Sequence, residues 1–269
     1  MGTGPKKWTE DVLEYRHSIG HGVGEGKNYW PYFFVQEFSS RGTQTRIPDL
    51  LVGRTIHTHS YIELGMHKWH EFNGYADYQE NFPVEREITR AIAQQLGVRH
   101  PTYPKTRTDK VLTIDAVVTP AAHMHIKRCG WDAKEEEALD DPEVQVELSI
   151  KREACRLMGM DYDLFTWQTV SRTIVNNIDL LRGALPHDGE VSEDLRTLTA
   201  NKPRMLKALD EATVVMSITD FCEAYDKHHS LPEGTGLRVY YNLAYEKRVA
   251  VKLDVEFFEL QHIPHNDRR

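Results

Sequence analysis

The chain has 269 residues, a formal net charge of −8, 40% hydrophobic and 28% charged residues. That profile suits one large or two modest globular domains and excludes a disordered chain. No run of about 18 apolar residues predicts a membrane span, and the opening MGTGPKKWTEDVLEYRH is too polar and acidic for a signal peptide. Three scattered cysteines, Cys129, Cys155 and Cys222, form no C-x-x-C pair. They fit a reducing cytoplasm and argue against a disulfide framework or a cysteine-based zinc site.

In chain order, residues 9–19 read as a helix entered through Thr9, with Val12, Tyr15 and Ile19 on one side. Gly20, Gly22, Gly24 and Gly26 then alternate. No Gly-Lys-Ser/Thr follows and no strand precedes, so this is neither a P-loop nor a dinucleotide fingerprint. The reading is tightly turned backbone, with close approach to a phosphate backbone as the alternative. Residues 32–38 and 54–58 read as strands joined by a polar turn. Residues 60–72 read as a helix with Ser60 at its N-cap and Glu63 in its first turn. A strand ending near Pro83, a helix closed by Gly97, strands at 111–118 and 122–128, a helix near 143–158 and the strand MDYDLFTW complete an α/β core. Beyond Trp167 three helices and a predicted β-hairpin are compatible with a winged-helix module. The expected domains are 1–168 and 169–269.

Residues 1–110 carry 14 Lys and Arg against 13 Asp and Glu, whereas residues 132–147 carry eight acids and one lysine. That acidic stretch reads as a solvated loop and helix entry, or as a surface that repels misplaced DNA or recruits a basic partner. Tight non-specific DNA binding rests on phosphate neutralisation. A DNA-handling role for so acidic a chain therefore calls for a partner.

Alternation along the strand expected at 122–128 sends His125 and Lys127 to one face. A short turn separates that strand from the one carrying Asp115, and Glu63 heads the helix before them. Two carboxylates, a third ligand and a lysine are what a metal-dependent phosphodiesterase needs. Asp115 lies among apolar neighbours, where an unpaired carboxylate is costly. Glu63 offers a second oxygen and the backbone carbonyl of Ile126 a third, as hard cations prefer. Lys127 would orient water or steady the transition-state charge. Simpler readings stand beside these. Glu63 at a helix N-terminus favours the dipole, Asp115 and Lys127 could form a structural ion pair, and His125 could be a packed strand histidine. The pairs His57/His59 and His123/His125 suggest a rival zinc site, though no cysteine or H-E-x-x-H joins them.

The stretch from Gly20 to Glu63 resembles the N-terminal region of the TnsA family, the endonuclease subunits of heteromeric TnsABC-type transposases. The residues that carry the resemblance are the spaced glycines, Tyr29 and Pro31, Val35-Gln36-Glu37, Arg46-Ile47, Gly53-Arg54, Ser60 and Glu63. They continue through Asp77 to Pro83, Gly97 to Pro101 and Asp115. The resemblance covers roughly residues 18–180, including NNIDLL, and is looser beyond. It implies a restriction-endonuclease-like PD-(D/E)xK core followed by a small, mainly helical, winged-helix-like C-terminal domain. It maps Glu63, Asp115 and Lys127 onto the catalytic acid, the metal-binding aspartate and the lysine. His125 falls where the family has glutamine or glutamate, and this departure bears on metal preference. The implied cofactor is Mg²⁺, with Mn²⁺ as an alternative. The implied activity is hydrolysis at the 5′ ends of transposon-end DNA in the bacterial cytoplasm, at the nucleoid during transposition. A TnsB-like subunit would process the 3′ ends, and a TnsC-like AAA+ ATPase would be contacted through the C-terminal domain. In some relatives an RNA-guided complex selects the target. Arg46 and Arg54 are candidate phosphate contacts, or else salt-bridge residues. The competing functional readings are a non-catalytic scaffold bridging TnsB-like and TnsC-like partners and a free-standing restriction-like nuclease.

Overall fold

The computed structural model describes residues 7–37, 43–121, 127–256 and 258–263. The chain divides into two compact units, Met1–Val170 and Ser171–Arg269.

In the first unit, α1 (Glu10–Ser18) follows Thr9, whose extended backbone fits an N-cap although its side chain makes no capping bond. Arg16 on α1 is buried and organises what comes next. Its guanidinium binds both Glu37 carboxylate oxygens, at 2.5 and 2.9 Å, and the Tyr32 carbonyl. It also lies against the rings of Trp8, Tyr32 and Phe33. The aromatic run expected to be a strand at 32–38 is therefore a cage around a cation, ending in a short 3-10 turn at Val35–Glu37. Its backbone groups bond locally and singly and not in a ladder: Phe34 N donates to Glu37 Oε2, Glu37 N to the Phe34 carbonyl and Tyr32 N to the Asn81 carbonyl.

Strand β1 (Thr45–Pro48) instead pairs antiparallel with β2 (Thr55–Thr58). Helix α2 (Tyr61–Asn73) starts at Ser60, whose hydroxyl accepts from Glu63 N. The main sheet has the order β3 (Asp77–Pro83), β4 (Thr113–Thr119), β5 (Cys129–Ala133), β6 (Asp161–Phe165). The pairs β3–β4 and β4–β5 are antiparallel, and β5–β6 is parallel. A parallel pair needs a crossover, and α4 (Pro142–Leu157) supplies it, capped by Asp141 with Pro142 in its first turn. Helix α3 (Arg86–Leu96) ends at Gly97 in the left-handed conformation. With α4 it closes a core of Ile92, Leu112, Ile114, Val117, Ile150, Ala154 and Cys155.

The strand expected at 122–128 falls mostly on residues 122–126, which lie outside the described ones, and the next described strand, β5, begins at Cys129. A glycine explains the register. A Cβ on Gly130 would sit 2.7 Å from Cys155 Sγ and 3.3 Å from Ile114 Cγ2, so only glycine lets α4 close on β5 here. Gly130 and Asp132 thus face α4, while Trp131 between them meets Trp69 of α2.

The second unit contains α5 (Arg172–Gly183), α6 (Ser192–Glu211), α7 (Ile218–His229) and α8 (Thr235–Tyr245). Helix α8 packs against the other three and buries Val239, Tyr240, Leu243 and Ala244. The Asp226 carboxylate caps it by accepting from Gly234 N and Gly236 N. The β-hairpin expected after α8 is not found among the described residues. Asn177 Nδ2 donates to the carbonyls of Leu253 and Val255, and Gln261 bonds both backbone groups of Lys252. Backbone pairing in this segment is limited to an isolated antiparallel bridge, Ser217↔His262, among the described residues. Among the described residues, four α-helices are seen and the wing is not.

Candidate active site

Glu63 is fixed by its own helix start. Its Oε2 accepts from His59 N at 2.7 Å and its Oε1 from the Ser60 hydroxyl at 2.9 Å, while Glu63 N donates back to Ser60 Oγ. This is a capping-box arrangement, shifted by one residue at its return bond. Asp115 lies mid-way along β4, opposite Asp132 of β5 in the register set by Ala116↔Trp131. Its Oδ2 accepts from Ala133 N at 2.9 Å and from Lys134 Nζ at 3.0 Å. The same ammonium donates to the Ala133 carbonyl at 3.0 Å and lies 3.8 Å from Asp132 Oδ1.

The lysine on Asp115 is therefore Lys134, one residue past β5. Lys127 is exposed and precedes the strand. Lys127 lies seven positions before Lys134 and two before β5 begins. His125 and Ile126 fall outside the described residues. Along this strand the acid-x-lysine spacing is met by Asp132-Ala133-Lys134, and the carbonyl preceding the lysine is that of Ala133. The signal was present in the sequence as D-A-K. It was absorbed into the acidic stretch 132–147, which looks like one solvated segment and is not. Asp132 is buried against Lys151, Asp141 caps α4, Glu147 contacts Lys151, and Glu135 and Glu136 accept from Trp167 Nε1 and Gln168 N.

Asp132 is fully buried and Lys151 is 2% exposed, whereas Asp115 and Lys134 keep 16% and 22% exposure. Asp132 Oδ1 accepts from Lys151 Nζ at 2.7 Å and Oδ2 from the Tyr162 hydroxyl at 2.6 Å. Asp132 is thus turned inward. The open side of the site is Glu63, Asp115, Lys134 and the Ala133 carbonyl.

The charges reflect this division. Burial, then the neighbouring Asp115, pushes the Glu63 carboxyl up to about 7 against its bonds to His59 and Ser60. Burial also works against the Asp115 carboxylate, but Lys134, Lys151 and the Ala133 N–H outweigh it and hold Asp115 below the usual range. Burial raises Asp132, only partly offset by Lys151. Asp115 and Asp132 keep the Lys134 ammonium charged despite its desolvation.

Glu63, whose carboxyl burial and then Asp115 raise, Asp115 and the Ala133 carbonyl offer oxygen atoms only, the donor chemistry that suits a hard divalent cation. Two other groups of three ligating side chains come together among the described residues, Asp49–His67–Glu71 and Glu135–Glu136–Glu137. In the first, Asp49 accepts from Leu51 N, Val52 N and Tyr75 Oη and pairs with His67 Nε2, while Glu71 accepts from Leu50 N. The group brackets the β1–β2 turn against α2 and so steadies the helix that carries Glu63. His57 belongs to neither group. It packs edge-on to Phe34, and burial holds its imidazole down at about 4. His123 lies outside the described residues.

Arg54 is committed internally. Its guanidinium binds both Glu80 oxygens, at 2.8 and 2.5 Å, and the Tyr78 carbonyl, and it lies against the Tyr29 ring. Of the two expectations for Arg54, the structure contains the salt bridge. Arg46 on β1 is exposed.

No protein-family model matches the chain. The chain is similar to the transposition protein TnsA of transposon Tn7 from Escherichia coli. They are 26% identical over 227 residues, which cover 84% of this chain and 81% of that protein. The TnsA-like character read from the ordered motifs is thus found again over most of the length. No helix among the described residues is long and apolar enough to cross a membrane.

Proposed function

We propose that this TnsA-like chain is the metal-dependent DNA endonuclease subunit of a heteromeric transposase, and that it hydrolyses the phosphodiester at the 5′ ends of the element. The observation that carries the reading is the Lys134 ammonium resting on Asp115 Oδ2 and the Ala133 carbonyl. It joins an aspartate to an acid-x-lysine run on the adjacent strand, and the helix-borne Glu63 lies within electrostatic reach of both Asp115 and Lys134.

Glu63, Asp115 and the Ala133 carbonyl would hold Mg²⁺, or Mn²⁺. Bound there, the ion would polarise the phosphate and lower the pKa of an attacking water. The chain's own residues do the rest. Ser60 and His59 N–H hold the Glu63 carboxyl in one orientation. Lys134 keeps its charge in a partly desolvated setting and steadies the negative charge that develops on the phosphate. Asp132, inside, is held by Lys151 and Tyr162.

The 5′ specificity, a TnsB-like subunit for the 3′ ends, a TnsC-like AAA+ ATPase docking on the C-terminal unit and a cytoplasmic location are parts of the same proposal. They rest on the likeness to TnsA and on the acidic charge, which calls for assisted DNA binding. The scaffold alternative drew on His125 as a defective ligand. With Asp132-Ala133-Lys134 supplying the motif, that support falls away.

The test is strand-resolved mapping of breaks at transposon-end DNA, with the TnsB-like and TnsC-like partners and Mg²⁺ or Mn²⁺. The reading requires 5′-end cuts with the native chain and none with Asp115→Ala. Cuts that persist unchanged in Asp115→Ala would refute the site. Their absence with the native chain under both metals would favour the scaffold.

A further inference from the structure

Resting on the nuclease reading above, we infer that Lys151 is a positioning residue whose ammonium sequesters the buried Asp132 carboxylate and so leaves Lys134 free for the phosphate. Lys151 touches neither the open side of the site nor Asp115. It reaches Asp132 from α4, across the close contact that Gly130 permits.

The argument is one of charge balance in a buried cluster. Asp132 is fully buried, and an isolated carboxylate there is very costly. Two ammonium groups lie within reach of the same oxygen, Oδ1: Lys151 at 2.7 Å and Lys134 at 3.8 Å. The nearer one holds it. Tyr162 donates to the other oxygen and Asp115 N lies 3.4 Å from Oδ1, so both Asp132 oxygens are bonded from inside and its charge is already met by an ammonium nearer than Lys134. Glu147, one turn earlier on α4, lies 3.2 Å from Lys151 Nζ and 3.8 Å from Lys110. These pairs keep Lys151 aligned between two acids. Without the Lys151 charge, Asp132 would be satisfied by the next cation available. That cation is Lys134, two residues further along the chain and already in contact with Asp115.

The prediction separates this role from simple stabilisation. Lys151→Met should leave end-DNA binding intact but slow single-turnover cleavage by about 10²-fold, a loss in kcat and not in KM. Removing the stranded charge as well, in Lys151→Met with Asp132→Asn, should restore at least about tenfold of that loss. Lys151→Arg, which keeps the charge, should cleave much faster than Lys151→Met. Thermal midpoints of all variants, recorded without metal, report folding independently of activity. Cleavage by folded Lys151→Met at the native rate, while Lys134→Ala is inactive, would overturn the inference and leave the nuclease reading standing. A double variant that folds yet cleaves no faster than Lys151→Met would overturn it too. If Lys134→Ala itself cleaves as the native chain does, the nuclease reading fails first and this inference falls with it.

Discussion

Lys134 Nζ lies 3.0 Å from Asp115 Oδ2, and the backbone N–H of the residue before it donates to the same oxygen at 2.9 Å. One carboxylate oxygen therefore joins β4 to the end of β5 by a charged and a neutral bond at once. That junction fixes where the open side of the site lies and which lysine faces it.

The first consequence concerns Glu63. Its folded-state carboxyl is raised to about 7 from an ordinary 4.5, by burial and by Asp115. The folded chain binds this proton more tightly than the unfolded chain does. The group's contribution is therefore favourable below about pH 4.5 and is lost as pH rises to 7. In metal-free protein, Glu63→Gln should gain stability over the native chain between pH 5 and 8, on the order of 2 kcal/mol, while losing cleavage. Parallel unfolding curves in urea with a chelator check this. A constant difference across that pH range would remove the crowding of Glu63 and Asp115 from the account.

Gly130 sets the distance between β5 and α4. Adding one methyl group at 2.7 Å from Cys155 Sγ should cost about 1–3 kcal/mol in Gly130→Ala. Because Cys155 is fully buried, trimming it in Gly130→Ala with Cys155→Ala should recover part of that loss. Urea midpoints decide the matter. Strict additivity of the two substitutions would show that the close approach is not what glycine serves.

Arg54 and Arg46 should part company. Arg54 is paired with a Glu80 that is 2% exposed, so Arg54→Ala strands a buried carboxylate and should destabilise by about 3–5 kcal/mol. Arg46 is exposed on β1. If it meets a phosphate, Arg46→Ala should weaken end binding uniformly across sequences and lower the salt slope by about 1, without a change in stability. Salt titrations of the assembled complex, alongside thermal melts, distinguish the two.

Much of the core was legible because its signals are local. Ser60 and Glu63 announce the start of α2 by capping chemistry, Gly97 ends α3 in a left-handed turn, and the alternation around Asp115 marks β4. The failures have a common cause, which is that side chains took over backbone partners from a distance. Arg16 turned an aromatic run into a cage, and Asn177 held the segment after α8 that alternates like a hairpin. The lysine that contacts Asp115 is hard to read from the sequence for a different reason. His125 and Lys127 alternate as a strand should, and the next residues, Cys129 to Ala133, include a glycine that weakens the strand signal. Only the contact with Cys155 explains that glycine. Asp132 and Lys134 then read as part of an acidic surface, because nothing in the sequence shows that Lys151 neutralises Asp132 from 19 residues away.

The most direct measurement compares Lys134→Ala with Lys127→Ala in strand-resolved end cleavage, with partners and Mg²⁺ present. Lys134→Ala should lose about 10²–10³-fold in cleavage rate while still assembling on end DNA. Lys127→Ala should cleave as the native chain does. Loss in Lys127→Ala with retention in Lys134→Ala would contradict the account at its centre.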